Sequence, residues 1–212
     1  LRFFLCGGTT IPPKLFEDCR PFGIRLLSIY GSTESSPHSL VRLNDTREHT
    51  EETDGCAVDG VEIRVVDDNR HEVPHGQEGE EASRGPQVFV GYWGEPEMTA
   101  RALDADGWYY SGDYCRTDSE GRYIRITGRK KDIIVRGGEN ISSREVEDIV
   151  LEYPGVREAA VVAMPDERRG ERSCECVSMR PGAPAMHLTD LVAFFDGRRV
   201  AKYKFPEYLV VD

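Results

Sequence analysis

The spacing of apolar and polar positions divides this 212-residue chain into three stretches. In the first, Arg2 to Cys6 is a short apolar run that reads as a strand, and Gly7-Gly8-Thr9-Thr10 turns the chain. Pro12 and Pro13 suit a helix start, Leu15, Phe16 and Cys19 give it an apolar face, and Pro21 to Gly23 ends it. Arg25 to Tyr30 reads as the next strand and runs into Gly31-Ser32-Thr33-Glu34. This is a βαβ-like unit with glycine-rich loops at two strand ends, the edge where open α/β sheets collect ligands. Residues 44–60 are polar and turn-rich and read as a surface loop.

From 61 to 127 the period becomes two. Val61, Ile63 and Val65 alternate with Glu62, Arg64 and Val66, and Asp67-Asp68-Asn69 makes a turn. Val88-Phe89-Val90, Trp108-Tyr109-Tyr110 and Tyr123-Ile124-Arg125-Ile126 read as further strands. Short strands at this spacing predict a small antiparallel sheet or barrel. After Gly128, Ile133 to Val135 and Ile141 flank Gly137-Gly138-Glu139-Asn140 in a hairpin pattern. Ser142 to Glu145 is a capping box, followed by Val146, Ile149, Val150 and Tyr153 on one helix face. Ala159 to Met164 and Cys174 to Met179 read as strands, and Thr189 as the cap of a helix carrying Leu191, Phe194 and Phe195. The expected fold is α/β plus α+β, with a last domain of about 80 residues that folds with little margin.

Charge sharpens the division. Residues 1–128 carry nearly all of the net charge of −11, and the remainder is close to neutral. An acidic balance argues against a nucleic-acid module, which needs a basic footprint. No apolar run reaches the length of a membrane span. The start Leu1-Arg2-Phe3 has no initiator Met and no leader pattern, which suggests a piece of a longer, cytoplasmic chain. The six cysteines then read as reduced thiols, with Cys174 and Cys176 on one face of a strand, and the five histidines show no metal-ligand spacing.

Five short stretches carry candidate chemistry. Gly7-Gly8-Thr9 lets backbone approach a flat ligand, or is simply a turn. Tyr30-Gly31-Ser32-Thr33-Glu34 offers hydroxyls for phosphate and a carboxylate for a hard cation, or is a capped turn. Ser111-Gly112-Asp113 puts a carboxylate where it could hold ribose hydroxyls. Gly128 to Asp132 is basic and reads equally as a linker, and Gly137-Gly138 equally as a hairpin turn.

In their order and spacing, these stretches resemble the adenylate-forming superfamily of acyl-CoA synthetases, luciferases and peptide-synthetase adenylation domains. Gly91-Tyr92-Trp93, Gly107 to Asp113, Gly121-Arg122-Tyr123 and Tyr203-Lys204-Phe205-Pro206-Glu207 extend the resemblance over the whole chain. Residues 137–149 and 166–174 are most similar to short- and medium-chain acyl-CoA synthetases and to cyclohexanecarboxylate–CoA ligases. The resemblance implies that residues 1–130 are the C-terminal portion of the large AMP-binding domain, with a βαβ piece at 1–60 and a barrel-like β subdomain at 61–127. Residues 131–212 would be the small mobile C-terminal domain.

It also implies a two-step reaction. A carboxylic acid attacks the α-phosphate of ATP, giving acyl-AMP and pyrophosphate, and the thiol of coenzyme A then displaces AMP. In that reading Glu34 holds Mg²⁺, Thr33 contacts phosphate, Gly7, Gly8 and Tyr30 frame the adenine, and Thr9, Gly31 and Ser32 also bind the nucleotide. Asp113 takes the ribose hydroxyls, with Arg129 near it. Lys131 is the hinge between half-reactions, and Gly137, Gly138 and Glu139 line the coenzyme A tunnel. The family's phosphate-gripping loop lies upstream of the sequence, and its catalytic lysine follows the Pro206 to Asp212 stretch, so Lys202 and Lys204 are not substitutes and the chain alone is expected to be inactive. An adenylating enzyme serving a carrier-protein thiol, or a non-catalytic nucleotide-binding fragment, are the alternatives.

Overall fold

The computed structural model describes residues 2–9 and 11–212, in two compact units, Leu1–Thr127 and Gly128–Asp212. Thr10, expected in the first glycine-rich turn, lies outside the described residues.

The first unit begins with β1 (Phe3–Cys6), α1 (Pro13–Cys19) and β2 (Arg25–Ser32). β1 and β2 pair in parallel, Cys6 against Ser28, with α1 as the crossover. Pro12 is extended ahead of α1, as a residue before proline must be. Phe16 of α1 packs on Ile11 and Leu26, closing the small core of the βαβ unit. β3 (Ser36–Leu40) folds back antiparallel on β2, and β4 (Cys56–Ala57) adds to β3, giving the sheet order β1-β2-β3-β4. Between β3 and β4 runs α2 (Arg47–Glu52), where the polar composition predicts only loop. Its signal is Thr46, whose hydroxyl accepts from the His49 N–H at 3.2 Å as an N-cap.

A second sheet follows: β5 (Glu62–Val66), β6 (Gly79–Arg84), β7 (Tyr109–Thr117) and β8 (Ile124–Arg129), in the order β5-β6-β7-β8. It is an open sheet and not a barrel, because β5 and β8 remain its two edges. Its core is Val66, Ala82, Trp108 and Tyr110, and the guanidinium of Arg64 lies 3.9 Å from the Trp108 ring centroid. Residues 88–90 are not a strand. Phe89 donates its N–H to the Glu34 carbonyl at 2.7 Å instead of joining a ladder, and Val90 is exposed. A short helix, α3 (Pro96–Ala102), fills the long connection to β7.

The second unit contains β9 (Ile133–Arg136), β10 (Glu139–Ser142), α4 (Ser143–Leu151), β11 (Val156–Asp166), β12 (Gly170–Met179), α5 (Leu188–Asp196) and β13 (Tyr208–Val211). The sheet runs β10-β9-β12-β11, with β13 parallel to β12. Ser142 caps α4 by accepting from Glu145 N–H at 3.3 Å. α5 begins two residues earlier than Thr189 suggests: His187 is its N-cap, and its backbone N–H donates to Asp190 at 3.0 Å. Val146 and Val150 of α4 and Leu191 and Phe195 of α5 pack on Val161 and Val177 of the sheet. All six cysteines are free thiols. Among the described residues no helix is long and apolar enough to cross a membrane, and no three His, Cys, Asp or Glu side chains cluster as a metal site.

Candidate functional site

The carboxyl ends of β1 and β2 lie side by side because the strands are parallel. Gly7 follows β1 and presses against β2, where a Cβ would stand 2.8 Å from Ile29 Cγ1. Gly8 takes φ +84°, a left-handed conformation that favours glycine. Gly7, Gly8 and Thr9 are exposed.

β2 ends in Tyr30-Gly31-Ser32, and Thr33, Glu34 and Ser35 turn it into β3. The turn is tight: a Cβ on Gly31 would come 2.1 Å from the Ser36 carbonyl oxygen, so only glycine lets β3 close on β2. Thr33 is exposed at its tip. Glu34 is fixed from three sides. Its N–H donates to Ser32 Oγ at 3.2 Å, its carbonyl accepts from Phe89, and its carboxylate accepts from the Tyr92 hydroxyl at 3.0 Å. Burial alone would push the Glu34 pKa up, but these hydrogen bonds outweigh it and hold it below its ordinary value. Glu34 is therefore an ionised, oriented carboxylate.

Asp113, on β7, accepts from the Tyr30 hydroxyl at 2.9 Å, and its N–H donates to Ser111 Oγ at 3.1 Å. Burial, together with the charges of Glu81 and Asp113, pushes the Tyr30 phenol far up, so it stays protonated and donates. Ser32 Oγ and the Tyr109 hydroxyl are 3.4 Å apart, and Phe89 packs edge-on against both Tyr92 and Tyr109. Tyr30, Ser32, Glu34 and Asp113 thus belong to one aromatic-lined constellation at the strand ends of the first unit.

The remaining expected residues fall in the second unit, which takes in the last two residues of β8. Arg129 is the exposed last residue of β8, and Lys131 is exposed in the 3₁₀ turn Lys130–Asp132. Gly137 and Gly138 form the two-residue turn between β9 and β10, at φ +61° and +92°, and Glu139 opens β10. Left-handed backbone at both positions is what a type I′ hairpin turn requires. A Cβ at either would meet nothing within 4 Å, so backbone conformation, not crowding, calls for glycine there.

Residues 1–93 match the AMP-binding enzyme family, and residues 145–212 match the AMP-binding enzyme C-terminal domain. This chain belongs to the adenylate-forming, AMP-binding enzymes. It is 64% identical over 211 residues to the medium-chain fatty-acid–CoA ligase of Escherichia coli, covering all of this chain and 37% of that relative. The ATP-bound MatB structure from Rhodopseudomonas palustris superposes with a TM-score of 0.91 at 31% identity, over 100% of this chain and 41% of that one. The o-succinylbenzoate CoA synthetase of Bacillus subtilis, in complex with its acyl-adenylate intermediate, superposes with a TM-score of 0.89 at 28% identity, over 100% and 42%. The chain therefore spans about two fifths of the length of these AMP-binding relatives.

Proposed function

We propose that this chain is the portion of an ATP-dependent acyl-CoA synthetase that holds the nucleotide and receives the thiol, with a medium-chain fatty acid as the acid. The observation that carries this reading is the pairing of Tyr30 with Asp113 at 2.9 Å beside the anchored Glu34, in a chain 64% identical to a medium-chain fatty-acid–CoA ligase. Asp113 takes the ribose hydroxyls, and Tyr30, Gly7, Gly8 and Thr9 frame the adenine. Thr33, with Gly31 and Ser32 behind it, meets phosphate.

One oriented carboxylate suits Mg²⁺, which keeps several waters and takes its other ligands from substrate phosphates. Glu34 is that carboxylate, and Mg²⁺ bound there would neutralise phosphate charge as two anions are brought together. Acyl-AMP and pyrophosphate form first, and coenzyme A then displaces AMP. Arg129 and Lys131 begin the second unit, where Lys131 acts as the hinge between the half-reactions. Gly137, Gly138 and Glu139 line the approach of the thiol. The 212 residues alone give no ATP–pyrophosphate exchange in this reading.

The test is a graft. This chain replaces the matching 211 residues of the Escherichia coli ligase, and acyl-CoA formation is measured with octanoate and acetate. Turnover that favours octanoate and is lost in Asp113→Ala is the expected result. A folded graft with no acyl-AMP formation refutes the reading.

A further inference from the structure

Behind Tyr30 and Asp113 stands a second rank of polar side chains that no step above uses. His38 on β3 and Glu81 on β6 are both fully buried, with His38 Nε2 3.1 Å from Glu81 Oε1. The other ring nitrogen, Nδ1, lies 3.0 Å from the Ser36 carbonyl oxygen and 3.1 Å from Ser35 Oγ. A carbonyl oxygen and an ionised carboxylate only accept hydrogen bonds. Protonated, the ring donates to both the Ser36 carbonyl and Glu81; neutral, it donates to Glu81 and accepts from the Ser35 hydroxyl. Burial alone pulls the His38 pKa down, but the hydrogen bond and charge of Glu81 and the carbonyl of Ser36 hold it above its ordinary value.

Glu81 reaches Asp113 by two routes. Its Oε2 lies 3.5 Å from the Tyr30 hydroxyl, which donates to Asp113. Its backbone oxygen accepts from Ser111 Oγ at 3.0 Å, and that hydroxyl accepts from the Asp113 N–H. The Tyr30 ring also meets His38 edge-on, with centroids 5.2 Å apart. Burying an ion pair carries a desolvation penalty that two apolar side chains of similar volume would avoid.

Resting on the nucleotide reading above, we propose that His38 and Glu81 are a positioning pair for Asp113. The Glu81 carboxylate faces the Tyr30 hydroxyl that donates to the ribose-binding carboxylate, its backbone oxygen holds the Ser111 hydroxyl, and His38 keeps the Glu81 side chain in place. Nucleotide affinity therefore follows the ionisation of His38. Glu81 is faced by His38 from β3, Tyr30 from β2, and Tyr109 and Cys115 from β7, with Asp113 on the far side of the Tyr30 hydroxyl; Glu80 beside it accepts from Gly112 N–H. The Tyr30 and Tyr109 phenols and the Cys115 thiol are all pushed up by burial and stay neutral near pH 7.

AMP is titrated calorimetrically into the 212-residue chain and its His38→Leu/Glu81→Leu double variant, which leaves no unpaired buried charge. Wild-type affinity falls as pH rises beyond the ordinary histidine value of about 6.5. The double variant binds roughly tenfold more weakly at pH 6, the weight of one hydrogen bond. Coupling is reciprocal, so saturation with adenosine, which has no titrating phosphate, raises the His38 pKa seen by ¹⁵N NMR in the wild-type chain. A folded double variant that binds AMP like the wild type at every pH overturns the positioning role and leaves the nucleotide reading standing. Should that variant fail to fold, a His38 ionisation unmoved by bound adenosine overturns it instead. A wild-type chain that binds neither AMP nor adenosine overturns both.

Discussion

Each unit buries one glutamate completely on an inner strand of its sheet, and the two environments are opposite. Glu81 on β6 meets His38 and Tyr30. Glu175 on β12 lies in register between Val161 of β11 and Leu209 of β13, and neither of its carboxylate oxygens has a hydrogen-bond partner among the described residues. Burial, with the Glu207 charge adding to it, pushes the Glu175 pKa up to about 7, while the Ser173 hydroxyl on the same face pulls it the other way. At equal depth, what faces a carboxyl decides whether it is held by hydrogen bonds to its neighbours or left as an acid that gives up its charge. The first unit sets a buried hydrogen-bonded pair beside its candidate site. The second carries an acid with no evident task in its core.

The largest expected effect breaks the first environment. His38→Leu alone leaves Glu81 buried without its cation, a loss of about 3–5 kcal/mol for a broken buried pair. Both tryptophans, Trp93 and Trp108, lie in the first unit, so urea unfolding followed by their fluorescence reads that unit. An unchanged midpoint would show that the His38–Glu81 pair adds nothing to the stability of the first unit.

Next comes the second environment. The folded chain keeps the Glu175 proton above the ordinary 4.5, where the unfolded chain has released it. Stability from the neutral acid is full below pH 4.5, declines as pH rises to about 7, and is level above that. The whole decline is about 3 kcal/mol at most. Glu175→Met should remove this slope and stabilise the second unit at pH 8, as read by hydrogen exchange of the β12 amides. A slope that persists in the variant would assign it to another group.

Two smaller effects set the scale. Glu207 accepts from Arg136 at 2.6 and 2.9 Å, and Arg169 and Arg172 approach it at 3.3 and 3.5 Å. Glu207→Gln should cost about 2 kcal/mol, as for a charged hydrogen bond, and should speed exchange of the β13 amides first. Ser142→Ala removes the α4 cap at about 1 kcal/mol. If circular dichroism shows it to be as damaging as loss of the Glu207 charge, the ion cluster contributes little.

The second unit was the more legible in sequence, because its strands alternate plainly and Ser142 and Glu145 announce α4. The first was less so. Strand spacing is the same in an open sheet and a barrel, and the edges of β5 and β8 depend on closure that no local pattern records. Val88 to Val90 has strand composition, but Phe89 finds its partner at Glu34, 55 positions away along the chain. Among site residues, Tyr30, Glu34 and Asp113 stand in short motifs and could be named. Tyr92 was visible only as part of a motif, with no hint that it holds Glu34. His38 is a lone histidine, and Glu81 one of several acids; their meeting across 43 positions is made by sheet packing alone. α2 was hidden because its six residues are all polar, and Thr46 was its one signal.

β11 and β12 are joined by only three residues and stay in register from Asp166 opposite Gly170 to Glu158 opposite Ser178, beyond which a bulge brings Val156 opposite Met179. β13 reaches the other side of β12 only after the chain has passed through α5. Loop closure makes the long hairpin fast to form and the parallel strand slow. Refolding of the second unit should therefore begin at the hairpin and finish when Tyr208–Val211 docks beside Cys174–Val177, the step that seals Glu175 from water.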